Sequence, residues 1–285
     1  MLFHSEVWIQ DFSHMRFRAD CQHAACPVCV RHQTMIRLLS GHLNARNAQV
    51  LLFQEHLRAQ YADRLLYWQC RGISRLQGDH VCLIADAMDM NKFSIPRSAA
   101  VMKGKEFGTF QRVKLSVSLV LCHGRFALFI ISLPGTRKDS NATCEIISHA
   151  LTILEKQGQC LPQSSITVQY DNTPREWKNN GGIRYCCSRV SSRRVNAITC
   201  QFLRSGHTHE DIDACFSQLA RFMVKQRRLL TPNDVKGALE NFCSIVKLPF
   251  EQERHVVFLD DVRDWTFDAI GLETATLLIL VDFIF

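Results

Sequence analysis

Apolar residues recur at two periods along the chain, and the change of period divides it. Between residues 35 and 75, Ile36, Leu39, Leu43, Val50, Leu51, Leu57, Tyr61, Leu65 and Trp68 return at helical spacing, with arginines at 46, 58, 64, 71 and 75 between them. At His80 the pattern changes. Val81-Cys82-Leu83-Ile84-Ala85 is a short apolar run after Gly78-Asp79, the mark of a buried strand, and it ends in Asp86-Ala87-Met88-Asp89. Residues 112–122 alternate in part and are rich in valine, His123-Gly124 makes a turn, and residues 126–133 run apolar to Pro134-Gly135, so this pair reads as a hairpin. Ser140 or Asn141 caps a helix whose Ile146, Ile147, Ala150, Leu151 and Leu154 form one stripe ending near Gly158.

Ile166-Thr167-Val168-Gln169-Tyr170 is another strand, closed by Asp171-Asn172, and Thr173-Pro174 opens a helix toward Val190. Residues 195–203 are β-rich. Thr208 can cap the next helix with Asp211 as reciprocal partner, and Ile212, Phe216, Leu219, Ala220 and Met223 form its apolar face. Thr231-Pro232 starts a last helix, followed by the strand-like His255-Val256-Val257-Phe258-Leu259 and an irregular tail. From 80 to 228 the order is strand, strand, strand, helix, strand, helix, strand, helix. A hairpin feeding alternating β and α units predicts an α/β fold, a mixed sheet with helices on both faces.

At 285 residues the chain can hold one large domain, or one with a small appendage. The expected division is a helical N-terminal region over 1–78, the sheet-bearing core over 79–250, and a C-terminal strand and irregular tail over 251–285. The formal charge of +7 comes from scattered Lys and Arg with tighter groups at Arg193-Arg194 and Lys225-Gln226-Arg227-Arg228. These are candidate phosphate contacts, as are the arginines between residues 46 and 75, although a solvated helix face explains the latter equally well. Thirteen cysteines are an odd number, and the start lacks the charged and apolar regions of a secretory signal. Free thiols or metal ligands in a reducing compartment are expected, in nucleus or cytoplasm and not outside the cell. The longest apolar run, near the C-terminus, is too short for a membrane span and carries Asp282, so a soluble protein is expected.

Cys26 and Cys29 form a CxxC flanked by Cys21, His23 and His32. Thiolates at this spacing can hold one zinc from the same side. Cys21 and His32 could complete a local set with Cys26 and Cys29. Alternatively His42, His56 or Cys70 could do so across a helix hairpin. The plainer alternative is a group of free cysteines.

Carboxylates stand at the end of the first strand (Asp86, with Asp89 nearby), at the end of the fourth (Asp171), and at the start of the last helix of the alternating series, where Glu210 and Asp213 share a face. Acids at a helix start also stabilise it through the dipole, which is the simpler explanation of Glu210, Asp211 and Asp213. This order of elements is like that of the RNase H superfamily, where the first and fourth strands are neighbours and the last helix crosses above them. There three acids converge, because two hard divalent cations about 4 Å apart need oxygen ligands to drive an in-line phosphoryl displacement. His207 could carry a proton, bind phosphate, or merely bond to its own loop.

Three segments sharpen this reading: residues 84–93 with Pro96-Arg97, residues 169–179, and Gly206-His207-Thr208-His209-Glu210-Asp211-Ile212-Asp213 with Phe216. They resemble a family of transposon-derived eukaryotic proteins, DUF7869-like and largely of unknown function, that look like a DDE/D transposase core. The resemblance spans residues 20–265 and includes the CxxC and Asp63-Arg64-Leu65-Leu66-Tyr67-Trp68. It implies an RNase H-like mixed five-stranded sheet behind a small helical region that carries the CxxC, the candidate zinc site. It also implies a metal-dependent polynucleotidyl transferase or nuclease using Mg²⁺ or Mn²⁺, with DNA as partner, no membrane, and self-association as an open expectation. Asp86, Asp171 and Asp213 are then the first choices for metal ligands, with Asp89 and Glu210 behind them. Asp213 is preferred to Glu210 because the family pattern holds an Asp followed by Phe at this spacing. The competing reading is a catalytically silent relic or a domesticated DNA-binding or scaffold protein of the same fold.

Overall fold

A computed structural model describes residues 26–76, 78–98, 112–170, 175–203, 210–248, 251 and 253–265. The chain forms two compact units, residues 1–59 and 60–285. Two helices come first, α1 (Pro27–Leu38) and α2 (Leu43–Leu76). No helix among the described residues is long and apolar enough to cross a membrane.

The second unit is built on a six-stranded sheet. Its strands are β1 (His80–Met88), β4 (Ser116–Cys122), β5 (Phe126–Ser132), β6 (Ser165–Tyr170), β7 (Ala197–Phe202) and β8 (Glu253–Leu259), in the order β7-β6-β1-β4-β5-β8. The short β2 (Ser94–Ile95) and β3 (Val113–Lys114) pair separately. β1 runs antiparallel to β4, with Leu83 opposite Cys122, and parallel to β6, with Ala85 opposite Tyr170. β4 and β5 make the predicted hairpin, and β7 adds in parallel beyond β6. An antiparallel trio whose first strand is flanked by two parallel strands is the RNase H-like arrangement, so the predicted fold class holds.

A sixth strand extends it. All seven residues of β5 are buried, so its outer edge would otherwise leave unpaired backbone groups beside the core; β8 covers that edge in parallel.

Four helices sandwich the sheet: α3 (Ser140–Lys156), α4 (Asn180–Ser191), α5 (Asp211–Lys225) and α6 (Pro232–Ile245). Successive residues of β1 alternate between two cores. Val81, Leu83 and Ala85 pack with Ile147 and Leu154 of α3 and Tyr185 of α4. Cys82, Ile84 and Met88 pack with Phe216 and Leu219 of α5 and Leu239 of α6. Both faces being covered explains why the central strands read as unbroken apolar runs.

The caps differ in detail from expectation. Asp139, one residue before the predicted cap, accepts from the Ala142 N–H at 3.1 Å. α4 starts only at Asn180, capped by Asn179 onto the Gly182 N–H; Thr173 and Pro174 lie outside the described residues. Thr231 caps α6 as predicted, with Asp234 bonding back to its N–H at 2.9 Å.

Candidate functional site

β6 ends at Tyr170, opposite Ala85 of β1, so Asp86 is the first residue of the central strand beyond the end of β6; β1 itself runs on to Met88 against β4. Its Oδ1 accepts from the Ala87 N–H at 2.7 Å. Asp89 caps the 3₁₀ turn Met90–Phe93, accepting from the Asn91 N–H at 3.0 Å. A cavity of about 40 Å³ opens here, walled in part by Asp86, Tyr170, Glu176 and Trp177. Trp177 stacks on Tyr170 at 4.6 Å between ring centroids. Glu176, not singled out from the sequence, thus shares a wall with Asp86; its place five residues after Asp171 was the available signal. Asp171, His207 and Cys21 lie outside the described residues.

The acids at the start of α5 have other partners. Glu210 is the N-cap residue, and its N–H donates to Asp213 Oδ2 at 3.0 Å. The expected pairing of Thr208 with Asp211 is thereby replaced by one two residues further on, because the helix begins later; Thr208 itself is outside the described residues. The Glu210 carboxylate accepts from the Trp68 indole N–H at 3.0 Å and lies 3.1 Å from Arg64. Asp211 accepts from the Tyr67 hydroxyl at 2.8 Å and from Arg71 at 3.1 Å.

Burial raises the pKa of Glu210 above the usual glutamate value, against the downward pull of Trp68 and Arg64. Burial, then Asp211, drives the Tyr67 phenol far above its ordinary range, so it stays a donor.

These contacts fix which way α5 points. Asp211 lies 3.7 Å from the buried ring of His123, whose backbone N–H donates to the Cys82 carbonyl at 3.0 Å. Cys82 is four residues before Asp86, about 13 Å at the rise of a strand. At its far end α5 accepts Arg97 on the Met223 carbonyl, and Arg97 follows the 3₁₀ turn after β1. α5 therefore runs alongside β1 in the same direction, and its acids stand toward the start of that strand while Asp86 stands in its last third. The described residues do not bring Glu210 and Asp211 to Asp86.

The two basic groups separate as well. Arg193 and Arg194 are exposed between α4 and the start of β7, Arg193 with a left-handed φ of 55°. Lys225, Arg227 and Arg228 are exposed at the end of α5, and the neighbouring Leu229 pairs with Arg97. This second group therefore lies on the side where β1 ends.

In the first unit, Cys26 caps α1, its carbonyl accepting from the Val30 N–H at 3.0 Å. His56 Nε2 of α2 lies 3.5 Å from the Cys26 Sγ and 3.2 Å from the Cys29 Sγ, and one donor atom from each of the three falls within 4.8 Å of the others. Burial, then Cys26, pushes the Cys29 thiol up to about 11. His32 stands apart from this group: its ring stacks on Phe53 and its Nδ1 meets the Gln49 amide. Of the alternatives open in the sequence, the structure brings Cys26 and Cys29 to His56.

Comparison with known proteins places these observations. The family described as Domain of unknown function (DUF7869) matches residues 105–274. Comparison with curated proteins gives no match. Among solved structures, the catalytic domain of Mos1 mariner transposase is 12% identical with a TM-score of 0.41, over 67% of this chain and 81% of that one. The Mos1 mariner paired end complex with Mn is 13% identical with a TM-score of 0.43, over 88% and 82%. The Mos1 Strand Transfer Complex is 11% identical with a TM-score of 0.41, over 88% and 81%. At these values the likeness adds nothing to the strand order described above.

Proposed function

The chain belongs to the DUF7869 family, and on that footing we propose that it is a metal-dependent polynucleotidyl transferase or nuclease that cuts and joins DNA phosphodiesters. One observation carries the reading: the register of β1 on β6 puts Asp86 one residue past the last pair of the two strands, Ala85 with Tyr170, and Tyr170 directly precedes Asp171 in the chain. Two carboxylates from adjacent strand ends suit a pair of hard divalent cations, Mg²⁺ or Mn²⁺, which activate a water or hydroxyl and stabilise the leaving oxygen.

In this reading Asp86 and Asp171 would hold the cations, with Asp89 close in sequence to Asp86. His207 follows the end of β7, the strand whose Phe202 pairs with Tyr170, and serves as the third group, a proton carrier or phosphate ligand. Lys225, Arg227 and Arg228 neutralise DNA phosphates on the side of Asp86, and Arg193 and Arg194 meet the duplex further away. Glu210 and Asp213 hold the start of α5 rather than a metal.

The test incubates the full chain with end-labelled DNA and Mg²⁺ or Mn²⁺, beside Asp171→Asn. Metal-dependent cutting by the wild type alone supports the proposal. No cutting, or equal cutting by the variant, sinks it.

A second reading, a catalytically silent DNA-binding or scaffold protein, gains from the engagement of Glu210, Asp211 and Asp213 in fastening α5. On that reading DNA binding persists unchanged in Asp86→Asn and Asp171→Asn, and no cutting is seen at all.

A further inference from the structure

The first unit raises a separate question: what holds it together. Among its described residues, 26–59, only Cys26 and His32 are buried. Leu43, Leu51 and Leu57, which the periodicity would place in a core, are exposed, and so are Met35, Leu38 and Leu52. Two helices with so little apolar burial lack the usual driving force for a fixed hairpin, and small units of this kind are commonly held by a disulfide or a metal. Neither Cys26 nor Cys29 forms a disulfide.

Among the described residues of this unit, one dense cluster of donors bridges the two helices. Cys26 caps the start of α1, Cys29 follows one turn on, and His56 comes from the first half of the other helix. Two soft sulfurs and an imidazole are the donor set zinc prefers over magnesium or calcium. The spacing fits too. Zinc–sulfur and zinc–nitrogen bonds of about 2.3 and 2.1 Å at a tetrahedral angle put sulfur and nitrogen about 3.6 Å apart. The observed separations are 3.5 and 3.2 Å.

We infer that Cys26, Cys29 and His56 bind one zinc ion that staples α1 to α2. Binding exchanges two thiol protons for the metal: both sulfurs become thiolates, the neutral imidazole donates through Nε2, and two protons leave to solvent. His32 stays outside the ligand set. Its Nδ1 is engaged by Gln49, and its ring centroid is 6.2 Å from that of His56, so it packs beside the ion without binding it. The site is independent of the phosphodiester chemistry proposed above and stands or falls without it.

The experiment uses the full chain, purified without added metal, and measures bound zinc by elemental mass spectrometry. The wild type is expected to carry one equivalent, and His56→Ala and Cys29→Ser less than about a tenth of that. His32→Gln and Cys160→Ser, the latter at an exposed cysteine, should keep it.

Because loss of zinc could follow from misfolding of a variant, the unmodified protein supplies a second readout. After removal of its metal, addition of cobalt(II) should produce the near-ultraviolet band of thiolate-to-cobalt charge transfer, the visible bands of a tetrahedral ion, and release of two protons. A wild type that holds no zinc and takes up no cobalt overturns the inference. So does full zinc in His56→Ala, and so does loss of zinc in His32→Gln with retention in His56→Ala, which would return the ligands to the local set.

Discussion

The indole N–H of Trp68 donates to the carboxylate of Glu210 at 3.0 Å, across 142 residues of chain. That single bond joins α2 to the first residue ahead of α5, and Arg64, one turn before Trp68, adds an ion pair to the same carboxylate at 3.1 Å. A residue with the credentials of a metal ligand is thus a clamp between two helices. Charge-assisted hydrogen bonds of this type are worth more than neutral ones, and a half-buried acceptor left short of a donor costs more than the bond itself contributed.

Trp68→Phe keeps most of the ring packing and removes the donor. The expected loss is about 1–2 kcal/mol of stability, read as a lower urea midpoint at unchanged m-value. An unchanged midpoint would show that the clamp is decorative.

Glu210 also sets a pH dependence. Burial raises its folded-state pKa above the ordinary value of 4.5, so its contribution to stability is fully present below that value and is lost as pH rises through the raised one. Glu210→Gln removes this titration. Between pH 4 and pH 7 the wild type should therefore lose ground relative to Glu210→Gln, measured as the difference between their unfolding free energies. A difference that grows in favour of the wild type would reverse the sign and refute the assignment.

Gly124 turns the β4–β5 hairpin at a φ of +79°, and a Cβ there would sit 2.9 Å from the Arg75 Cα. Gly124→Ala faces both the left-handed backbone and a backbone atom that cannot step aside, at a cost of about 2 kcal/mol or more. Gly237, inside α6, meets nothing within 4 Å. There Gly237→Ala should stabilise by up to about 1 kcal/mol. Thermal melts of the two variants should move in opposite directions.

At the proposed reaction site, Asp86→Asn is expected to reduce metal-dependent DNA cutting by at least about 100-fold, more than changes in a ligand's surroundings usually cause. Asp213→Asn weakens the capping interaction with the Glu210 N–H. It should lower stability by about 1 kcal/mol and leave cutting within a few-fold of wild type in a gel assay at 25 °C. Equal loss in both variants would bring Asp213 back as a ligand.

The chain's own pattern was enough to specify its elements. Apolar runs without alternation in β1 and β5 announce strands covered on both faces, the helical stripe of α3 announces which side of it is buried, and Thr231-Pro232 marks the start of α6, because side-chain period and capping depend on residues a few positions apart. The alternation of β and α units was enough to indicate an RNase H-like sheet. What tertiary structure alone decided was direction and partnership. Whether the acids of α5 reach Asp86 depends on which end of β1 the helix starts from, and Tyr67, Trp68 and Arg71 on α2 hold that start. The pairing of β8 with β5 and the meeting of His56 with Cys29, 27 residues earlier, are long-range in the same sense. Local sequence encodes what a segment prefers to be, whereas the charges it will meet are fixed only when segments remote in the chain are packed against one another.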